Sequence, residues 1–441
     1  MLVLSNIKRL YDGTSAIERQ ALHSHVNLWI DGGRVHALRP ASEELPSGDG
    51  LQVVDGSSYV VTPGLIDCHG HIVHLGLNAE DEARMAGPHQ LLYIEKILYR
   101  TLVQGGVTTM RDVGGATDAM KRMVDQGLVI GPRLRIAICM LSTTGGHADF
   151  RGPDRCHKAI SSLWPAGPGR PSSLVDGPWA CRKRVREIAA CGADLIKVCA
   201  SPGVASPSDK LEHQDFSLEE LTAICTEARA RGLRVAAHAH SQSGIELAIR
   251  SGVHDLQHIS FMDERLVELA AAHGCTVTPT SWVLQSLVQS AELSPFVLEK
   301  AKQAEEVHAR AVDFARRGDL KILGGTDPVL QGMHGRNYME LCALMKDGLS
   351  SIQAWHGMTG LAATEIGADD TGTLVPGQRA DLLICTEDVL EDPVRLDAGA
   401  LLEVVKDGVA YRGGLAAFPQ RTFADTAAEL WSEAGHLPAS R

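Results

Sequence analysis

Hydrophobic and polar positions divide the chain into a β-rich start, an alternating middle and a β-rich end. Short apolar runs open it: Leu2-Val3-Leu4, then Val26–Ile30 followed by Asp31-Gly32-Gly33, then Val53-Val54-Asp55 and Tyr59-Val60-Val61. Asp-Gly between apolar runs is a hairpin signal, because glycine reaches the positive φ that tight turns need. Residues 371–420 have the same texture, with Gly372–Gly377, Ala380–Cys385 and Val404–Tyr411. The two ends together predict one small β-sandwich domain, residues 1–62 and 371–420. The tail over 421–441 is expected to be helical, with Asp425–Glu433 amphipathic.

The middle, residues 63–370, alternates short apolar strands with amphipathic helical stretches. Strands are expected at Gly64–Asp67, Gly106–Met110, Leu134–Cys139, Ala193–Val198, Arg234–His238, Asp255–His258, Thr276–Pro279 and Lys321–Gly324. Leu218–Arg231, Ala301–Arg317 and Met339–Lys346 carry helical periodicity. Eight strands alternating with helices predict an α/β fold, a (β/α)8 TIM barrel. One segment breaks the rhythm. Gly152–Pro178 holds Pro153, Pro165, Pro168, Pro171 and Pro178, and it follows the third strand. A long loop at that position of a barrel reads as a lid or specificity loop.

Composition narrows the function classes. The 441 residues are 44% hydrophobic, enough for one large domain and a small one. A net charge of −12 disfavours nucleic-acid binding, which needs a basic surface. No apolar stretch approaches the roughly 18 residues of a membrane helix, and the first apolar run is too short for a signal peptide. Ten scattered cysteines without a CxxC pair read as free thiols of a reducing compartment. A cytoplasmic enzyme is expected.

Candidate chemistry sits at the strand ends. In Asp67-Cys68-His69-Gly70-His71, the two histidines are two residues apart on a strand and face the same way. Cys68 faces the other way and reads as packing. Lys197 lies inside the apolar strand Ala193–Val198, where an unpaired ammonium is expensive to bury. A snorkelling lysine or a buried ion pair would explain it. So would a lysine that its site deprotonates and CO2 carboxylates, giving a carbamate with one oxygen for each of two cations. His238 and His258 close two consecutive strands, and Asp327 follows a Gly-Gly-Thr turn at the eighth. His240 competes with His238 as the ligand. We read His238 as the ligand, being closer to the strand proper, and His240 as a substrate contact. Nitrogen and oxygen donors without thiolate suit Zn²⁺, with Mn²⁺ or Co²⁺ as alternatives. His334 and Arg336, just past Asp327, read equally as a substrate-carboxylate site or as a solvated loop.

The order His-x-His, Lys, His, His, Asp resembles the binuclear subtype of the amidohydrolase superfamily. Val61–Asp67 and Gly372–Asp381 match its flanking text. Thr143-Thr-Gly-Gly-His147, Ala193–Lys197, Ala237–His240 and Gly325-Thr-Asp327 are similar to its prolidase-like and imidazolonepropionase-related branch. That branch includes dipeptidases, N-acyl-amino-acid amidohydrolases and ochratoxin-type amidases. Ser201-Pro202-Gly203 departs from the Gly-Gly turn common there, and some relatives carry Tyr in place of His240. The resemblance implies two divalent metals bridged by a hydroxide. His69, His71 and Asp327 would hold one, His238 and His258 the other, with carboxylated Lys197 between them. It also implies that His147 meets the substrate carbonyl or carboxylate, and that Asp327 shuttles the proton. The implied reaction is hydrolysis of an amide or peptide bond in a small substrate such as an N-acyl amino acid, a dipeptide or an ochratoxin-like amide. A homo-oligomer is expected, even-numbered, with an octamer among the candidates. The alternative is a mononuclear deaminase or imidazolonepropionase-like ring hydrolase. Such enzymes lack the strand-four lysine and keep an acid soon after the strand-five histidine.

Overall fold

The computed structural model describes residues 1–45, 50–74, 87–149, 166–204, 210–291, 293–422 and 425. The loop expected over Gly152–Pro178 is described only from residue 166. The expected tail helix lies outside the described residues apart from Asp425.

Two sheets draw on the chain ends. Leu2–Ile7 lies between Val26–Asp31, antiparallel, and Gln52–Asp55, parallel, and Arg34–Pro40 pairs outside Val26–Asp31. Arg34–Pro40 shows why the pattern folds this way: Arg34 and His36 are exposed while Val35 and Ala37 are buried. The second sheet joins the ends directly, with Leu382–Cys385 antiparallel between Val60–Pro63 and Leu401–Lys406. Leu4, Leu28, Val61, Leu382 and Val405 share one apolar cluster.

The middle carries two all-parallel sheets. One orders Arg133–Ile136, Val107–Asp112 and Leu65–Gly70. The other orders Met140–Leu141, Leu195–Cys199, Arg234–Ala239, Asp255–His258 and Thr276–Thr278. Parallel strands with helices between them are covered on both faces, so they read as continuous buried runs, as in Leu195–Cys199.

Two expected strands differ. The one expected over Leu134–Cys139 is broken, because Ile138 adopts φ 68° and its carbonyl turns to accept from Gly115 N at 3.0 Å. Lys321–Gly324 forms a single parallel bridge, Val277 to Ile322. Its neighbours still reach both sheets: Leu323 N donates to Val277 O at 2.8 Å, and Cys68 N donates to Gly324 O at 3.0 Å. A Cβ on Gly324 would lie 2.1 Å from Met358, so the chain passes here only as glycine.

Helices begin where their caps place them. Ser217 and Glu220 form a capping box on Leu218–Arg229. Helix Pro295–Arg317 starts six residues before the expected Ala301, because Ser294 caps it and Pro295 suits its first turn. Among the described residues no helix is long and apolar enough to cross a membrane.

Helix Ser281–Gln289 is capped from a distance. Its N-cap, Thr280, has φ 55° and makes no side-chain cap. Instead the fully buried Glu340 accepts from Ser281 N at 3.0 Å and Trp282 N at 2.8 Å. Glu340→Ala should cost about 2–4 kcal/mol, since it orphans two buried donors and leaves a cavity. Glu340→Gln should cost less, because one oxygen still accepts. Urea unfolding measures both, and equal stability of wild type and the alanine variant would remove the capping role.

Candidate active site

The site is assembled where strand ends meet. His69 closes the strand Leu65–Gly70, and His71 follows it; both are buried. Gly70 lets them in, since a Cβ there would lie 2.5 Å from Met110 Sδ. Asp67 ties this strand end to the Asp327 turn. It accepts from His69 N at 3.0 Å, Thr326 N at 3.1 Å and Asn337 Nδ2 at 2.7 Å. Asp327 N in turn donates to His69 O at 2.7 Å.

Partners outside the cavity set the imidazole tautomers. His71 Nδ1 faces Gly114 O at 3.0 Å, and a carbonyl can only accept, so Nδ1 carries the proton. In the neutral ring His71 Nε2 then keeps a lone pair, 3.4 Å from Asp327 Oδ1. His69 Nε2 lies 3.6 Å from the same oxygen. Thr280 donates to Pro279 O at 2.6 Å, so its oxygen accepts from His258 Nδ1 at 2.7 Å, which frees His258 Nε2. His238 Nε2 faces Pro202 O at 3.3 Å, which frees Nδ1. Outer partners that fix ring and tautomer are the usual support of metal-binding histidines.

The six expected ligands come together. His69, His71, Lys197, His238, His258 and Asp327 line one cavity, along with His147 and His240. Ligand atoms of His69, His258 and Asp327 lie within 4.8 Å of one another, as do those of His238, His240 and His258. The His147 ring stacks on His238 with centroids 4.0 Å apart. Gly203 makes room for it, since a Cβ there would lie 2.1 Å from His147 Cε1.

The electrostatics favour neutral His69, His238 and His258 and an ionised Asp327, with His71 the exception. Burial holds His69, His238 and His258 far below the ordinary histidine range, and nearby cationic groups add to this. Burial pushes His240 down to about 3. His71 moves up: burial opposes its charge, but the Asp327 carboxylate outweighs burial. Asp327 is held below the usual carboxylate range, because His71 and Lys197 outweigh its burial. Burial lowers Lys197 to about 8. Among the described residues no carboxylate lies within 4.0 Å of its Nζ, which donates to the neutral amide oxygen of Gln257.

His334 and Arg336 are placed elsewhere. His334 is buried with Nε2 on His74 O at 2.7 Å, and Arg336 pairs with Asp397 at 3.0 Å. Neither is among the described residues lining the cavity. Cys68 packs with Leu323, Ala362 and Ala363.

The cavity is also lined by residues that the sequence pattern does not single out: His74, Ser260, Thr280, His308 and an apolar wall of Val204, Val283, Leu284, Leu287 and Val329. His308 left a readable signal. It sits in register with buried Ala301, Ala304, Ala311 and Ala315, a polar residue on the apolar stripe of its helix. The wall left none: Val283, Leu284 and Leu287 share helix Ser281–Gln289 and read as ordinary core, while Val204 and Val329 join them from two distant segments.

Residues 60–410 match the amidohydrolase family model. Ochratoxinase of Aspergillus niger is 30% identical over 370 residues, covering 80% of this chain and 76% of its own. Imidazolonepropionase of Mesorhizobium japonicum is 27% identical, covering 84% of this chain and 87% of its own. A solved Xaa-Pro dipeptidase with bound methionine in the active site superimposes with a TM-score of 0.82 at 27% identity, over 93% of this chain and 100% of its own. A family match over most of its length shows that the chain belongs to the amidohydrolase family, hydrolases of carbon–nitrogen bonds.

Proposed function

We propose that this protein is a binuclear metal-dependent amidohydrolase that cleaves an amide or peptide bond in a small substrate bearing an apolar group. The scaffold we propose is a closed (β/α)8 barrel over residues 63–370, with a β-sandwich from residues 1–62 and 371–420. The hydrogen bonds from Leu323 to Val277 and from Cys68 to Gly324, which link the two parallel sheets, support closure. The apolar cluster shared by both chain ends supports the sandwich.

One observation carries the functional reading: six nitrogen and oxygen donors converge on one cavity. The donor set fits divalent cations. His71 and His258 keep lone pairs after their outer hydrogen bonds, and His69 Nδ1 is buried without a hydrogen-bond partner among the described residues. Without thiolate, the set suits Zn²⁺. His69, His71 and Asp327 would hold one ion, His238 and His258 the other, and carboxylated Lys197 would give an oxygen to each.

Two cations so held would acidify a water molecule and polarise the scissile carbonyl. Asp327, ionised at neutral pH, takes the proton of the attacking water on its carboxylate. It then passes that proton to the leaving nitrogen, so the amine departs neutral. His147, held against His238, donates to the carbonyl oxygen as negative charge builds there. The Val204, Val283, Leu284, Leu287 and Val329 wall holds the substrate's apolar group and excludes water from it.

Metal analysis with a substrate panel tests this reading. The expected result is two ions per chain; one ion would point to the ring-hydrolase alternative, and none would overturn the metal-dependent reading. Against N-acyl amino acids and dipeptides, kcat/KM should favour a Leu-sized or larger apolar group over a charged one by roughly 10–100-fold, the worth of one buried side chain. Leu287→Asp should erase that preference. Equal turnover of charged and apolar substrates would refute the role of the wall.

A further inference from the structure

Behind the proposed ligands lies a buried polar network that the mechanism above does not use. Asp255 and Gln257 are two residues apart on the strand Asp255–His258, and both are buried. Gln257 is not among the described residues lining the cavity. Its Nε2 donates to Asp255 Oδ2 at 3.0 Å. Asp255 is held in turn by Arg111, and by Thr276 at 3.1 Å and Thr278 at 2.9 Å. Arg111 Nε reaches Cys68 O at 2.6 Å, beside His69.

This network removes the usual ambiguity of an amide. A carboxylate salt-bridged to Arg111 only accepts, so it must face the nitrogen of Gln257. Gln257 Oε1 is therefore held toward Lys197, and its contact is with Nζ. Among the described residues, the donor that satisfies that oxygen is Lys197.

We propose that Gln257 is a positioning residue for carboxylated Lys197, accepting the single N–H that the carbamate retains. The inference rests on the carbamate assigned to Lys197 above. In carboxylation the Nζ lone pair forms a bond to the carbon of CO2. One C=O pair moves onto oxygen, and one N–H proton leaves to solvent. The product is a planar N–H–carboxylate, stiffened by the same resonance that flattens a peptide. Holding its N–H on Gln257 Oε1 sets the plane and turns both oxygens away from Gln257, toward the cavity. Without that acceptor the N–H would be buried and unsatisfied, and carboxylation would be correspondingly less favourable.

The test is titration of wild type and Gln257→Met with ¹³C-bicarbonate, followed by the ¹³C NMR signal of the carbamate in metal-free and Zn²⁺-loaded protein. Methionine has similar length and no acceptor oxygen. The variant should need on the order of 3–10-fold more bicarbonate for half-occupancy, the range for one lost hydrogen bond. Saturating bicarbonate should restore both the signal and the metal content, which a general loss of structure would not allow. If the methionine variant does not fold, Gln257→Asn serves: it keeps an amide beside Asp255 but draws the acceptor back from Nζ, and the same shift is expected. Superimposable curves in wild type and a folded variant would overturn the inference alone. Absence of a carbamate signal from wild type as well would overturn the carboxylated-lysine reading and this inference with it.

Discussion

Lys197→Ala should lose nearly all turnover while keeping its fold. The buried lysine has no carboxylate within 4.0 Å among the described residues, so its removal breaks no ion pair there. Burial already lowers it to about 8, which means the charged form is resisted and the neutral amine that attacks CO2 is accessible near neutrality. The sign is clear: as pH falls below about 8, the amine protonates and metal-free protein should take up less CO2. On the proposed carbamate, replacing the side chain would remove both oxygens it would offer to the ions. Metal content should drop below two per chain, and kcat/KM should fall at least about 10²–10³-fold, the scale for losing one preorganised electrostatic group. Acetate or propionate should restore part of the activity, since a free carboxylate can enter the vacated space and supply the same two oxygens. Full activity of Lys197→Ala without added acid would rule the carbamate out.

Asp327→Asn should separate metal holding from proton transfer. Asp327 adopts φ 44°, a left-handed conformation that asparagine tolerates as well as aspartate, so the backbone should stay in place. The amide oxygen can still face His69 and His71, so most metal should remain. It cannot accept a proton, and kcat should fall by roughly 10²–10⁴-fold, the usual cost of losing a general acid–base group. KM should change far less. A variant with full metal and near-normal kcat would move the shuttle to His147 or His240, which line the same cavity.

Much of the candidate site was legible because strand-end position and residue type are local. A lysine inside Leu195–Cys199, histidines closing Arg234–Ala239 and Asp255–His258, and an acid after Gly324-Gly325-Thr326 each stand against the burial their surroundings demand. The alternation of apolar strands and amphipathic helices is equally local. It located seven of the eight expected strand positions as strands, the third broken in two.

Tertiary structure decided what depends on a partner far along the chain. Ile138 looks like any strand residue until Gly115 draws its carbonyl aside. Arg336 follows Asp327 closely, yet its guanidinium goes to Asp397, sixty-one residues on. Glu340 caps a helix fifty-eight residues before it, and Arg111 meets Asp255 across 144 residues. The amino-acid sequence by itself determined the parallel α/β character and which strand ends carry donor atoms. Only the fold decided which nitrogen of each histidine faces the cavity, and that Gln257 rather than a carboxylate stands against Lys197. The reason is that periodicity fixes the face a side chain takes relative to its own backbone. The atom it meets there is set by strand order and register, which place His238 beside Gln257 and Cys199 beside His238.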